Sequence, residues 1–136
     1  MIITPENAEI LNSRDFYIHD DVLLSIAYDR AASILTAEMK KDGAEGDPYS
    51  ICFRNVAGMY LSDCGFLGRS PHVLDFIYVE DGGPLLAHLK DQRKEPPAGT
   101  CKLRGDEVFM EVRMVFTSGD VLEVVCGSIE AMGREN

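Results

Sequence analysis

The chain has 136 residues, 13 basic against 23 acidic, for a formal charge of −10. That length suits one ordinary domain able to bury roughly two thirds of its unfolded-chain surface, so residues 1–136 are read as a single domain. The charge has the wrong sign for neutralising a phosphate backbone, which argues against nucleic-acid binding, and the longest apolar runs, such as residues 22–27, are far too short to cross a bilayer.

At the start of the chain, Met1-Ile2-Ile3-Thr4-Pro5-Glu6 lacks the basic and apolar segments of a signal peptide, and a cytoplasmic location is expected. Thr4-Pro5-Glu6 supplies an N-cap, a proline at the first helical position and an acid in the first turn, so a short helix is predicted to about Leu11. Residues 16–29 and 34–39 form a hairpin pattern. Val22, Leu24, Ile26 and Tyr28 alternate on one face, and Leu35, Ala37 and Met39 match them across a four-residue loop, Arg30-Ala31-Ala32-Ser33, with Leu24 facing Met39. Residues 40–48 are polar and turn-rich.

Tyr49, Ile51 and Phe53 continue as a third strand. The phase breaks at Arg54-Asn55-Val56 before Met59 and Leu61 resume, as a bulge or bend requires. Leu74, Phe76 and Tyr78 mark another strand, ended by Asp81-Gly82-Gly83-Pro84. Leu85, Leu86 and Leu89 then make one or two helical turns, stopped by Glu95-Pro96-Pro97-Ala98-Gly99.

Residues 108–131 give the clearest fold signal, two alternating runs joined by Ser118-Gly119-Asp120. Val108, Met110, Val112, Met114 and Phe116 share one face, and Leu122, Val124 and Cys126 share a face on the return. The two faces coincide only with an odd loop, and we expect Phe116 opposite Leu122, which puts Gly119 in mid-loop. A two-residue loop would set Met114 opposite Glu123, exposing one apolar row or burying a carboxylate at a cost of several kcal/mol. There is no internal repeat beyond the two hairpins. The expected fold is mainly β, an antiparallel curved sheet, sandwich or open barrel of six or more strands with a short N-terminal helix.

Few residues carry a chemical signal. In His19-Asp20-Asp21 a carboxylate could raise the imidazole's basicity and orient its tautomer, as in proton transfer or metal ligation. In an extended strand, however, His19 and Asp21 share a face while Asp20 points away, and no further His or Cys lies at ligand spacing. A turn-forming role through side-chain bonds to nearby backbone is the plainer reading. His72 and His88 are isolated, and Gly65 and Gly68 form no phosphate-binding G-x-G-x-x-G element.

Cysteines 52, 64, 101 and 126 contain no Cys-x-x-Cys pair and read as reduced thiols, with Cys126 in the core. Cys64 follows Asp63, whose charge opposes the thiolate a nucleophile needs. No catalytic residue, metal site or cofactor is expected. The charge is uneven, because residues 90–104 hold five basic against two acidic residues, +3, which leaves −13 for the remainder. An acidic surface of that kind steers toward a basic macromolecule, or simply solubilises the chain.

Phe16-Tyr17-Ile18-His19-Asp20, followed by Val22, Leu23, Ile26 and Tyr28 and then Leu35-Thr36-Ala37-Glu38, resembles a loose group of small bacterial all-β proteins. Their first strand carries a Phe-x-x-His-Asp, aliphatic, x-x, aliphatic signature. Several are assigned as immunity proteins of polymorphic toxin systems, and many are uncharacterised. The resemblance covers residues 16–39, is faint at Ile51-Cys52-Phe53-Arg54-Asn55-Val56 and is a generic strand pattern at the C-terminal hairpin. This chain departs from the group in lacking tryptophan and in its segment 82–99.

The resemblance implies a non-enzymatic protein that covers the active site of a cognate toxin. With complementary charge to a basic partner, His19, Asp20, Asp21 and the hairpin acids Glu111 and Glu123 become candidate contact residues. Two other readings stand beside it. One is a small-molecule-binding module with an apolar pocket lined by Phe53, Met59, Phe76, Met110 and Met114. The other is an enzyme using His19 with Asp21. A monomer is expected, or a homodimer paired through the exposed edge of the C-terminal hairpin.

Overall fold

A computed structural model describes residues 1–13, 16–43, 45–62, 72–79, 83–92 and 108–133, except the side chain of Leu74. Among them are nine strands: β1 (Ile2–Ile3), β2 (Val22–Asp29), β3 (Ile34–Lys40), β4 (Pro48–Arg54), β5 (Gly58–Leu61), β6 (Val73–Val79), β7 (Met110–Phe116), β8 (Val121–Cys126) and β9 (Ser128–Met132). One sheet has the order β1-β9-β4-β3-β2 and the other β5-β8-β7-β6, all neighbours antiparallel. A short 3-10 helix (Ala8–Asn12) precedes β2, and an α-helix, α1 (Pro84–Gln92), follows β6.

The alternation along each strand explains the layering. Leu35, Met39, Ile51, Phe53 and Ile129 from the first sheet meet Phe76, Val112, Met114, Phe116, Leu122 and Val124 from the second in one continuous core. The fold is therefore the expected mainly β type, built as two open sheets rather than a closed barrel. Phe53, Phe76, Met110 and Met114, expected to line a pocket, are buried in that core with Met59 packed at its margin. Phe53 and Phe76 meet edge to face at 6.2 Å.

The sheets share a bent corner where two paired strands pass together from one layer to the other. β4 continues into β5 through Asn55, at φ 52°, which accounts for the break in phase at Arg54-Asn55-Val56. β8 continues into β9 through Gly127, so the return run is two strands in two sheets. The Gly127 N–H donates to the carbonyls of Arg54 (3.0 Å) and Asn55 (3.2 Å). A Cβ at Gly127 would stand 3.2 Å from that of Asn55, so glycine permits the close approach. On the opposite side, among the described residues, the start of β2 meets the residue before β6 in the bridge between Val22 and His72.

Three local expectations shift. The N-terminal helix begins later and is 3-10, because Thr4 to Asn7 form a turn closed by the Asn7 N–H on the Thr4 carbonyl and by the Thr4 N–H on Asn7 Oδ1. In the first hairpin the loop 30–33 holds, with Asp29 opposite Ile34, but a bulge between Leu23 and Ser25 sets Leu23 opposite Met39 and leaves Leu24 56% exposed. In the last hairpin the loop is odd, as the faces require, but shorter. Phe116 pairs with Asp120 and Met114 with Leu122, leaving Thr117-Ser118-Gly119 as a three-residue turn with Gly119 last, at φ 90°.

That hairpin is also internal to its sheet, flanked by β5 and β6, so its edge is unavailable for pairing with a second copy. Val108 lies before β7 and is exposed rather than sharing the apolar face. α1 packs on the outer side of the same sheet, against β5, β7 and β8. Leu89 presses on Gly58, where a Cβ would come within 2.5 Å of its Cδ1.

Candidate functional site

The Phe-x-x-His-Asp segment forms the approach to β2, where the two sheets meet. Phe16 and Ile18 point into the core, and Phe16 packs edge to face on Phe76 at 5.8 Å. Tyr17 and His19 consequently point outward, their rings tilted by 36° with centroids 5.9 Å apart. Tyr17 is 59% exposed. The chain then turns at Asp20, which adopts a left-handed φ of 69° tolerated by Asp and Asn better than by most residues. The Asp21 N–H donates to the Ile18 carbonyl at 3.0 Å, and the Asp20 N–H reaches the Val73 carbonyl at 2.8 Å.

This turn separates the three residues His19, Asp20 and Asp21 differently from an extended strand. His19 Nε2 lies 3.5 Å from Asp20 Oδ1, both side chains remaining partly exposed. Asp21 is folded inward at 7% exposure, where its carboxylate accepts the Tyr49 hydroxyl at 2.5 Å and the Asp42 N–H at 3.1 Å. His19 is therefore paired with Asp20, not Asp21, and Asp21 ties the turn to β4 and to the following loop. That arrangement removes the geometry on which a His19–Asp21 proton relay depended.

The hairpin acids also part company. Glu111, fully buried, points away from the core toward α1, and its Oε1 accepts the Leu86 N–H at 2.7 Å in the first turn of that helix. Among the described residues its Oε2 has no hydrogen-bond partner, and a Cβ at Gly83 would fall against it. A side chain so enclosed presents nothing to a partner, so Glu111 is a helix anchor instead of a surface contact. Glu123 stays at the surface but is matched across the ladder by Arg113, Nε to Oε1 at 3.1 Å. Of the five candidates, His19, Asp20 and Glu123 remain at the surface, and only the first two lie together.

Beside them opens a cleft of about 320 Å³ between the 3-10 helix, the 16–19 segment and the edge of β6. Leu11, Phe16, Ile18 and Phe76 supply its apolar part, and Asn12, Ser13, Tyr17, His19 and Asp75 its polar part. Asn12 holds the helix against the strand edge: its Oδ1 accepts the Tyr78 N–H at 2.9 Å and its Nδ2 donates to the Tyr78 carbonyl at 3.3 Å. The amide thus takes the place of a neighbouring strand's backbone at Tyr78 on this sheet edge. Asp75 and Asn12 were not singled out by sequence reasoning. An acid between Leu74 and Phe76 looks like any solvent-facing strand residue, and only tertiary packing brings it beside Tyr17.

Among the described residues no group of three or more His, Cys, Asp or Glu is disposed to hold a metal ion, and no helix is long and apolar enough to cross a membrane. Cys52 and Cys126 are both buried free thiols. Burial pushes the Cys126 thiol up to about 12, against a smaller opposing effect of its backbone hydrogen bond with Ser128. Cys64 and Cys101, the basic residues Arg93, Lys94, Lys102 and Arg104, and the 82–99 segment's end at Glu95-Pro96-Pro97-Ala98-Gly99 lie outside the described residues, whereas Lys90 lies in the last turn of α1.

No family model matches the chain, and no curated protein matches it. Among solved structures, the chain is similar to an uncharacterized protein from Neisseria gonorrhoeae, with 13% sequence identity over 85% of this chain and 92% of that one, at a TM-score of 0.46.

Proposed function

We propose that the chain is a non-enzymatic protein-binding module of the immunity type, engaging a basic protein partner through the edge formed by Tyr17, His19 and Asp20. The observation that carries this reading is the exposed Tyr17 ring, fixed at the mouth of the cleft by the buried side chains on either side of it. Interface energy concentrates in a few aromatic anchors, and an anchor already held in place loses little conformational entropy on binding. The formal charge of −10 adds attraction for a basic partner and governs association rate more than affinity.

The test is affinity capture from lysate of the source cell with the full chain and with Tyr17→Ala, followed by native mass spectrometry. A stoichiometric partner of positive net charge, retained by the parent chain and lost by the variant, is expected. Recovery of the chain alone, as monomer or dimer, would overturn the reading.

A second reading rests on the cleft itself. Its volume of about 320 Å³ falls at the lower end of the range for small-molecule sites, and it combines an apolar floor with a few polar groups. A ligand screen by thermal shift, with Phe76-side-chain resonances as the local readout, tests it.

A further inference from the structure

The sheet edges differ in what closes them. β1 is two residues long, β5 lies beside α1, and β6 is bonded by Asp20 and Asp21 at Val73 and by Asn12 at Tyr78. β2 is eight residues long, and past its bulge Ser25, Ala27, Tyr28 and Asp29 are exposed and Ile26 is half-buried. These five residues include no lysine and no proline, the usual guards of an edge. Backbone groups of successive strand residues point to alternate neighbours. The Asp21 carbonyl accepts the Val73 N–H and so faces away from β3, and the alternation, reset by the one-residue bulge, turns Ser25, Ala27 and Asp29 toward β3 and Ile26 and Tyr28 outward. The pairing of Asp29 with Ile34 across the hairpin loop gives the same phase. Among the described residues, no hydrogen bond from outside the β2–β3 ladder reaches Ile26 or Tyr28.

We propose that this edge pairs with the same edge of a second copy, in an antiparallel two-fold ladder centred on Ala27. Opposed residues in such a ladder face one side of the sheet, and a two-fold axis normal to the sheet keeps each residue on its side, so the axis must set some residue opposite itself. Centred on Ala27, the ladder sets Ile26 opposite Tyr28 of the second copy, twice over, and all four outward N–H groups meet outward carbonyls. Centring on Ile26 or on Tyr28 bonds that residue only with itself, and opposes the other to Leu24 in the bulge or to Arg30 in the loop.

Side chains and charge suit the same register. Ile26 and Tyr28 lie across from Ala37 and Leu35 of the core, so two isoleucine–tyrosine pairs extend the apolar layer from one copy into the other. Each Asp29 faces a Ser25 hydroxyl, a donor for its carboxylate, and the two Asp29 stand about 13 Å apart along the strands, beyond the screening length of physiological salt. Alanine, small and exposed, occupies the axis, where opposed Cα atoms approach to about 4.5 Å. The bulge ends the ladder before Ser25, so two copies close on each other instead of extending a fibre. Five residues a side place this contact among the small interfaces, below about 1,200 Å², and the dimer is weak and reversible.

The experiment is sedimentation velocity of the full chain over a concentration series to about 1 mM, with amide exchange by nuclear magnetic resonance on the same samples. A reversible shift from 15.1 kDa to twice that mass is expected, with the Ile26 and Tyr28 amides becoming protected as the dimer forms. Ala27→Glu and Ala27→Lys each set like charges across the axis, and each alone should weaken the dimer by about tenfold or more while keeping the parent's thermal midpoint. An equimolar mixture of the two variants should associate at least as tightly as the parent, because opposite charges then meet. A chain that stays monomeric to that concentration, a dimer indifferent to either variant, or variants that fail to rescue each other would overturn the proposal. Protection of Ile26 and Tyr28 by a captured protein, with no dimer of the chain alone, would overturn the second copy as occupant in favour of a strand from that partner.

Discussion

Two buried carboxylates show how differently the same residue type can be employed once the chain is folded. Asp21 bonds a tyrosine hydroxyl and a backbone N–H, and Glu111 takes a helix N–H on one oxygen while the other has no hydrogen-bond partner among the described residues. Tyr49→Phe removes the short bond to Asp21 and should destabilise by about 1.5–3 kcal/mol, the usual range for a hydrogen bond to a charged group, as read by urea denaturation. Asp20→Asn, at a partly exposed position, should change stability by less than about 0.5 kcal/mol. The Cys126 thiol gives a pH prediction. Its proton is held to about 12 in the fold against an ordinary value of 9.0, so between those limits the unfolded chain binds fewer protons. Stability therefore falls as pH rises through that window, by at most about 1.4 kcal/mol per pH unit from this group, and is unaffected by it below. Urea midpoints measured across the alkaline range should decline less steeply in Cys126→Ala.

At the scale of elements, the β2 bulge is a device with a visible consequence. It turns Leu23 into the core opposite Met39 and puts Leu24 outside, and it twists an edge strand whose flat form would invite pairing with other chains. Leu23→Ala should cost about 2–5 kcal/mol, whereas Leu24→Ala should stay within about 0.5 kcal/mol, a contrast that equilibrium unfolding of the two variants measures directly. A leucine pair that sequence alternation ranks in the opposite order makes this a sharp check on the register. The last hairpin offers a backbone test. Gly119 has φ 90° and open space where a Cβ would be, so Gly119→Ala meets no clash and reports the left-handed strain alone, about 1 kcal/mol.

For the whole molecule, the bent corner at Asn55 and Gly127 lets two strand pairs serve both sheets, while on the other side the described residues meet at Val22 and His72 and through the backbone bonds of Val73 to Asp20 and Asp21. The cleft lies on that side, walled by a helix that Asn12 fastens to β6. The net charge of −10 acts over long range and should appear in kinetics. If the proposed basic partner is captured, its association should slow by about tenfold or more as ionic strength rises, with a smaller change in dissociation. Stopped-flow or biosensor rates over a salt series measure this, and salt-independent association would remove the electrostatic part of the proposed function.

The strands were legible because one-sided burial imposes a period of two, and Tyr49-Ile51-Phe53 and Met110-Val112-Met114-Phe116 keep that period without interruption. The loop 30–33 and the odd parity of the last turn followed from matching apolar faces across a hairpin. Exact register did not follow, because a two-residue change in loop length leaves the faces matched, and the one-residue bulge that turns Leu23 in and Leu24 out has no signal in the alternation. The site was less legible than the fold. His19 and Asp20 stood out as residue types, but the burial of Asp21 and Glu111 depended on Tyr49 and α1, distant in sequence. Composition and alternation by themselves determined an acidic, mainly antiparallel β protein. Only the tertiary structure decided which carboxylates face water and which residues wall the cleft, because those outcomes are set by contacts between segments whose separation carries no local signal.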